Sequence, residues 1–289
     1  MLSRKLDCRM VDKRQRFENS AVFFACPICQ NVLEKVENSL KCANNHTYDL
    51  SKFGYVNLHG GKKVDDHYSK KSFENRQLIL DKGFYEPVLK AVERVVDQHP
   101  QVQTILDIGC GEGYYSRQLL QVRDKEILAF DISKDSVQIA AKSDRTHRGK
   151  WFVSDLAHLP VQDGKIDLIL DIFSPANYGE FQRVLAEDGL ILKVVPTADH
   201  VKELRAKAND QLQQKEYSNQ KIIDHFQESF DILFQEEVSQ TTACSAAERQ
   251  AFIEMTPLLF HVDSSQIDWS DVTEITVSAL VLVGKAKNK

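Results

Sequence analysis

Residues 103–121 read QTILDIGCGEGYYSRQLLQ, from Gln103 to Gln121. An apolar run over 104–108 enters a turn containing Gly109, Gly111 and Gly113, and an amphipathic stretch with Leu119 and Leu120 on its buried side follows. Strand, glycine-rich turn and helix in that order predict the opening of a Rossmann-like βαβ unit. The pattern is Asp-x-Gly-x-Gly-x-Gly from Asp107, not the Gly-x-Gly-x-x-Gly whose helix N-terminus holds a pyrophosphate. An acidic group there suits the cationic end of a ligand.

Downstream, KEILAFDIS predicts a second strand ending at Asp131, where a carboxylate can accept both hydroxyls of a ribose. KWFVSDLAHLP predicts a third strand ending at Asp155, placed to accept from an adenine amino group, with Leu156 beside it in the cofactor-binding set. This constellation resembles class I methyltransferases that use S-adenosylmethionine. A nicotinamide-binding fold is the structural rival, because strand-end carboxylates occur there too. IDLILDIFSP, GLILKVVPT, FDILFQEEVSQ and EITVSALVLVGKAK supply strands four to seven, alternating with helical stretches such as 176–187, 199–217 and 245–254. The expected fold is α/β, a mostly parallel seven-stranded sheet. Its long last strand has no helix after it and suits an antiparallel edge pair.

Upstream, Cys26-x2-Cys29, twelve residues and Cys42-x3-His46 give ligand spacing for a tetrahedral Cys3His zinc site. A redox Cys-x-x-Cys pair would need neither Cys42 nor His46. Four protein ligands leave no open position, so the zinc is expected to be structural. VLEKVENSLKC between the pairs predicts a β-hairpin turning at Glu37-Asn38-Ser39, too small to be stable without the metal. The domain plan is then a polar basic arm without assigned fold (1–25), the zinc module (26–60), a linker with helices (61–100) and the methyltransferase domain (101–289).

The chain of 289 residues, 42% hydrophobic, is long enough for a sizeable core, which excludes disorder as its main state. Six cysteines are too sparse for a disulfide scaffold and point to a reducing compartment, the cytoplasm. No run approaches the roughly 20 apolar residues of a membrane span, so no membrane partner is expected. The net charge of −5 argues against a uniformly basic coat. Arg4, Lys5, Arg9, Lys13, Arg14 and Arg16, and then Lys62, Lys63, Lys70 and Lys71, still allow a local RNA-binding patch. Ordinary solvated lysines and arginines are the alternative.

After strand four stands Ile172-Phe173-Ser174-Pro175, not the Asn/Asp-Pro-Pro-aromatic segment that grips exocyclic amines, and no Pro-Cys pair is present to attack a pyrimidine ring. A ring nitrogen, an oxygen or a small molecule remains as acceptor. Asp171 and Glu180 stand near that strand end; neither is assigned as a base, and the catalytic residue stays undetermined.

The zinc spacing, His46-x-Tyr48-Asp49, Gly54-Tyr55-Val56-Asn57-Leu58, Gly83-Phe84-Tyr85-x-Pro87, the glycine turn through Tyr115 and Met255-Thr256-Pro257 occur together and in order. From Cys26 nearly to the end, the chain closely resembles the RlmA family of 23S rRNA (guanine-N1) methyltransferases. The resemblance implies S-adenosylmethionine as donor, 23S ribosomal RNA as substrate, N1-methylguanine in a hairpin as product, and a homodimer with an RNA-sized cleft. It further implies donor contacts from Tyr85, the glycine turn, Tyr115, Ser116, Asp131 and His200. A small-molecule methyltransferase and a non-catalytic RNA-binding protein with a vestigial donor pocket are the competing readings.

Overall fold

The computed structural model describes residues 12–60, 70–212 and 217–287. Arg4, Lys5, Arg9, Lys62 and Lys63 of the expected basic clusters lie outside them, as does the side chain of Lys70. In chain order the elements are α1 (Ser20–Phe23), β1 (Glu34–Val36), β2 (Ser39–Lys41), β3 (Thr47–Asp49), β4 (Tyr55–Asn57), α2 (Lys70–Asp81) and α3 (Glu86–Gln98). Next come β5 (Thr104–Ile108), α4 (Tyr114–Val122), β6 (Glu126–Asp131), α5 (Lys134–Ser143), β7 (Lys150–Val153), β8 (Ile166–Ile172) and α6 (Tyr178–Val184). Last come β9 (Leu185–Pro196), α7 (Lys202–Ala208), α8 (Gln220–Ser229), β10 (Phe230–Ala243), α9 (Ala246–Met255) and β11 (Glu274–Ala286).

Among the described residues the main sheet has eight strands in the order β10-β11-β9-β8-β5-β6-β7-β4, parallel except that β11 runs antiparallel to both β9 and β10. The order reverses at β5, so the crevice beside its carboxyl end is where this topology places a ligand. Seven of these strands match the expected ones. The eighth, β4, belongs to the segment assigned to the zinc module and pairs with β7 through Tyr55↔Trp151 and Asn57↔Val153. Tyr55 packs into the core on one face of the sheet and Val56 into the core on the other, as period-two alternation requires.

The zinc segment is therefore stitched into the sheet. Its own part is a three-stranded antiparallel sheet, β1-β2-β3, whose hairpin turns at Glu37-Asn38 with Glu37 at φ +51°. The arm given no fold from sequence is structured over its described part. A 3-10 turn over Lys13–Phe17 and the short α1 bury Phe17, Phe23 and Phe24. Each is worth about 1.5–3 kcal/mol when fully removed from water, and Phe24 meets Phe152 of β7 edge-on at 5.2 Å. Arg16 closes the seam: it is buried, donates to the Gly54 carbonyl at 3.0 Å and pairs with buried Asp144 at 3.3 Å.

One face of the sheet is covered by α3, α4, α5, α7 and α9, the other by α6, α8 and the zinc segment. The helix expected over 176–187 is shorter, because Leu185 already pairs with Ile166 and draws the chain into β9. Of 199–217, α7 occupies 202–208, and 213–216 lie outside the described residues.

Candidate donor cleft and metal centre

The thiols of Cys29 and Cys42 stand 3.7 Å apart, and Nδ1 of His46 is 3.5 Å from Sγ of both Cys26 and Cys42. All four ligand atoms lie within 4.8 Å of one another. With zinc–sulfur bonds of about 2.3 Å and zinc–nitrogen bonds of about 2.0 Å, a tetrahedron has edges of about 3.8 Å (S···S) and 3.5 Å (S···N). The donor set fits zinc. Tyr48 Oη, 3.3 Å from Cys26 Sγ, can donate to that thiolate and orient it. With four protein ligands the ion would cross-link the turns and take no part in chemistry.

At the carboxyl ends of β5 to β9 a cleft of about 1180 Å³ opens. Gly109, Gly111 and Gly113 all have positive φ. At Gly113 a Cβ would sit 2.6 Å from the Trp151 ring, and at Gly109 one would sit 2.3 Å from Ser174 Oγ. The turn thus combines left-handed backbone with close approach, which only glycine satisfies. Asp131 accepts from the Gly111 N–H at 2.9 Å and the Ser133 N–H at 2.8 Å. A carboxylate has about four lone-pair sites, so acceptor capacity is left for a ligand.

Of the sequence-predicted positions, Tyr85, Gly109, Tyr115, Asp131, Asp155, Leu156 and His200 line the cleft. Asp107, Gly111, Gly113 and Ser116 stand behind its wall. There Ser116 Oγ donates to Asp107 at 2.6 Å, and burial pushes the Asp107 carboxyl up to about 7. Glu180 is turned away, held by Arg183 at 2.7 Å and accepting from the Leu159 N–H at 2.8 Å.

Tyr85 and His200 act as a pair. Burial lowers the His200 imidazole to about 4, so it is neutral, and its Nδ1 accepts from the Ser278 N–H at 3.3 Å. The proton is then on Nε2, 3.5 Å from Tyr85 Oη, which leaves the Tyr85 hydroxyl proton for a partner in the cleft. Phe173, at φ +53°, packs edge-on against Tyr85 at 5.8 Å. A left-handed aromatic residue at this strand end is strained backbone, and such strain clusters at binding sites.

Two charged residues of the cleft carried no motif. Arg76 on α2 lies 3.4 Å from Glu112 of the glycine turn, which is fully buried and whose carboxyl burial pushes upward. Lys193 on β9 pairs with Asp171 on β8 at 2.6 Å. The only signal for the second pair was one charge in each of two otherwise apolar strand runs, LILDI and LILKVV.

A doubly wound sheet with this glycine turn, strand-end carboxylates and antiparallel β11 defines a class I, S-adenosylmethionine-dependent methyltransferase carrying a zinc ribbon. The RlmA N-terminal zinc-ribbon model matches residues 24–59, and a methyltransferase-domain model matches residues 105–194. The Bacillus subtilis protein YxjB, provisionally named a 23S rRNA (guanine-N1) methyltransferase, is 37% identical over 214 residues, covering 70% of this chain and 74% of that one. The 23S rRNA (guanine(748)-N1)-methyltransferase of Streptomyces fradiae is 28% identical across 92% of this chain and 98% of its own length. In a solved complex of the Haloferax volcanii Trm112 methyltransferase activator with its methyltransferase partner, one chain is matched over its whole length and 78% of this one. That match, at TM-score 0.50 and 17% identity, shows the fold alone. The chain belongs to the RlmA family of 23S rRNA (guanine-N1) methyltransferases.

Proposed function

We propose that this protein transfers the methyl group of S-adenosylmethionine to N1 of a guanine in a 23S rRNA hairpin. The observation that carries the reading is the lining of the cleft beyond the donor side. It runs on from the donor-side strand ends to Phe173, Tyr178, Tyr217, Lys221 and His225. That far half is aromatic and basic, suited to stack a base turned out of a loop and to meet its phosphates.

S-adenosylmethionine supplies an electrophilic methyl group on a sulfonium. On the donor side, Asp131 holds the ribose hydroxyls and Asp155 with Leu156 receives the adenine. Arg76, beside the glycine turn, suits the donor carboxylate, with bidentate geometry available. Asp107 and Ser116 brace the turn from behind, and Tyr85, oriented by His200, lends its hydroxyl. Holding the acceptor in line with the reacting bond is the main catalytic task. The zinc ribbon shapes the RNA-docking surface, and a homodimer working in the cytoplasm completes the reading. Among the described residues no helix is long and apolar enough to cross a membrane.

The test is incubation with labelled donor and 23S rRNA from cells lacking the modification, followed by mass mapping and reverse-transcription stops. N1-methylation blocks the Watson–Crick edge, so one strong stop at a loop guanine is expected. Label in a small metabolite with none in rRNA would overturn the proposal.

A further inference from the structure

Along β8 and β9, residues 168–172 and 190–195 are Leu, Ile or Val except at two places, Asp171 and Lys193. These two are direct register partners on the parallel strands, are 0% and 3% exposed, and meet at 2.6 Å. Burying such a pair costs several kcal/mol per ion, and a well-packed apolar pair would commonly serve the fold as well or better. Here the cost is compounded. Oδ1 of Asp171 has no hydrogen-bond partner among the described residues.

Position supplies a reason. Lys193 lines the cleft and Asp171 does not. Of the three ammonium donors, Asp171 takes one and the Ser174 carbonyl, at 3.5 Å, is a weak second partner. The remaining N–H is left for the cleft. Ser174 belongs to the segment after the fourth parallel strand, so the ammonium sits where the acceptor must lie, with Tyr178 and His225 lining the same end.

A guanine N1 carries its proton at neutral pH, and its lone pair becomes available only when that proton leaves. The negative charge then spreads onto O6. A fixed cation donating to O6 favours the ionised base by direct charge interaction and hydrogen bonding. We propose that Lys193 is a catalytic residue that donates to O6 of the acceptor guanine and stabilises its N1-deprotonated form, with Asp171 as the positioning residue that holds the ammonium. The inference rests on the guanine-N1 reading given above. In balanced form, the N1–H bond breaks and the proton passes to water. The N1 electron pair forms the new bond to the methyl carbon while the carbon–sulfur bond breaks, its pair remaining on sulfur as a neutral thioether.

Lys193→Met alone strands a buried carboxylate, so Lys193→Met/Asp171→Leu, which removes both charges, is made beside it. Each is compared with wild type for thermal unfolding, donor affinity by calorimetry, and single-turnover methylation of a 23S rRNA hairpin. A second hairpin carries 6-thioguanine, whose N1–H is more acidic, at the acceptor position. The expected result for the double variant is donor affinity within about twofold of wild type and methyl transfer slowed about 10²–10³-fold, the usual loss for one oxyanion donor. The deficit should narrow on the thioguanine RNA, because sulfur at position 6 accepts a weaker hydrogen bond than O6 and so gains less from the Lys193 ammonium. Transfer within about threefold of wild type, or a deficit unchanged on thioguanine, would overturn the role of Lys193. Wild-type protein that leaves guanine N1 unmethylated is a different failure: it removes the proposed function and this inference with it.

Discussion

Replacing Arg16 by Met removes the charge that ties three separate segments together. In the folded protein the Asp144 carboxylate is held below its usual value. Burial opposes this and is outweighed by the Thr146 side chain, the Arg16 guanidinium and the Trp151 indole. Without Arg16, Asp144 keeps donors from the Thr146 N–H and hydroxyl, the His147 and Gly149 N–H groups and Trp151 Nε1. The Gly54 carbonyl loses its 3.0 Å donor. Breaking a buried pair costs about 3–5 kcal/mol, and the five surviving donors place this one at the low end, about 3 kcal/mol. For 289 residues the lower end of the roughly 2–4 °C per kcal/mol seen at 150–250 residues applies, so Tm should fall by about 6 °C. A folded carboxyl value below the unfolded one contributes stability above the unfolded value, lost as pH falls through the folded value. Arg16→Met raises the folded value, so acid unfolding should begin at higher pH. Urea unfolding and calorimetry at pH 7 and pH 4.5 measure both effects. A variant within about 0.5 kcal/mol of wild type, the ordinary range for surface substitutions, would refute this account of the N-terminal seam.

Cys42→Ala should lose its zinc and loosen the β1–β3 region, read by elemental analysis and hydrogen exchange; a variant that keeps one zinc per chain contradicts the ligand set. Asp131→Ala should weaken S-adenosylmethionine by about 1.5–3 kcal/mol, the range for charged hydrogen bonds, and wild-type affinity in calorimetry would remove the ribose assignment. Asp107, pushed by burial from an ordinary 3.8 to about 7, makes the folded state hold an extra proton between those values. Stability should therefore fall as pH rises from about 4 to 7, by at most about 1.4 kcal/mol per unit, and Asp107→Asn should flatten that slope in urea titrations.

The parts of the site legible from sequence are those written locally. The glycine turn from Asp107 to Gly113 and the strand ends at Asp131 and Asp155 each follow an apolar run that names its own strand, and the zinc ligands fall in two short pairs. What stayed hidden depends on distant partners. The three residues Tyr55–Asn57 have too short a pattern to announce a strand, and their pairing with β7 across the intervening chain is a tertiary event. Phe17, Phe23 and Phe24 sit in turns too short for helical periodicity, so their burial against Phe152 had no signature. Arg76 looks like any helix arginine until α2 brings it to Glu112. The lone charges at Asp171 and Lys193 were visible as exceptions in buried strands, and only the register made them a pair.

The insertion of β4 beside β7 also dictates an order of events as the chain is made. Residues 26–49 contain every zinc ligand and can close around the metal early. The seat for β4, Phe24 and Ala25 is formed by β7 and by Pro160 and Val161, to which the Ala25 N–H and the Phe24 bridge attach. Roughly 100 further residues must emerge before that seat exists, about 5–20 s at ordinary rates of synthesis. Until then Phe24 and Val56 lack the cover that β7 supplies, and zinc alone does not replace it. Emergence of residues 150–161 is thus the step at which the ribbon's apolar face can be covered.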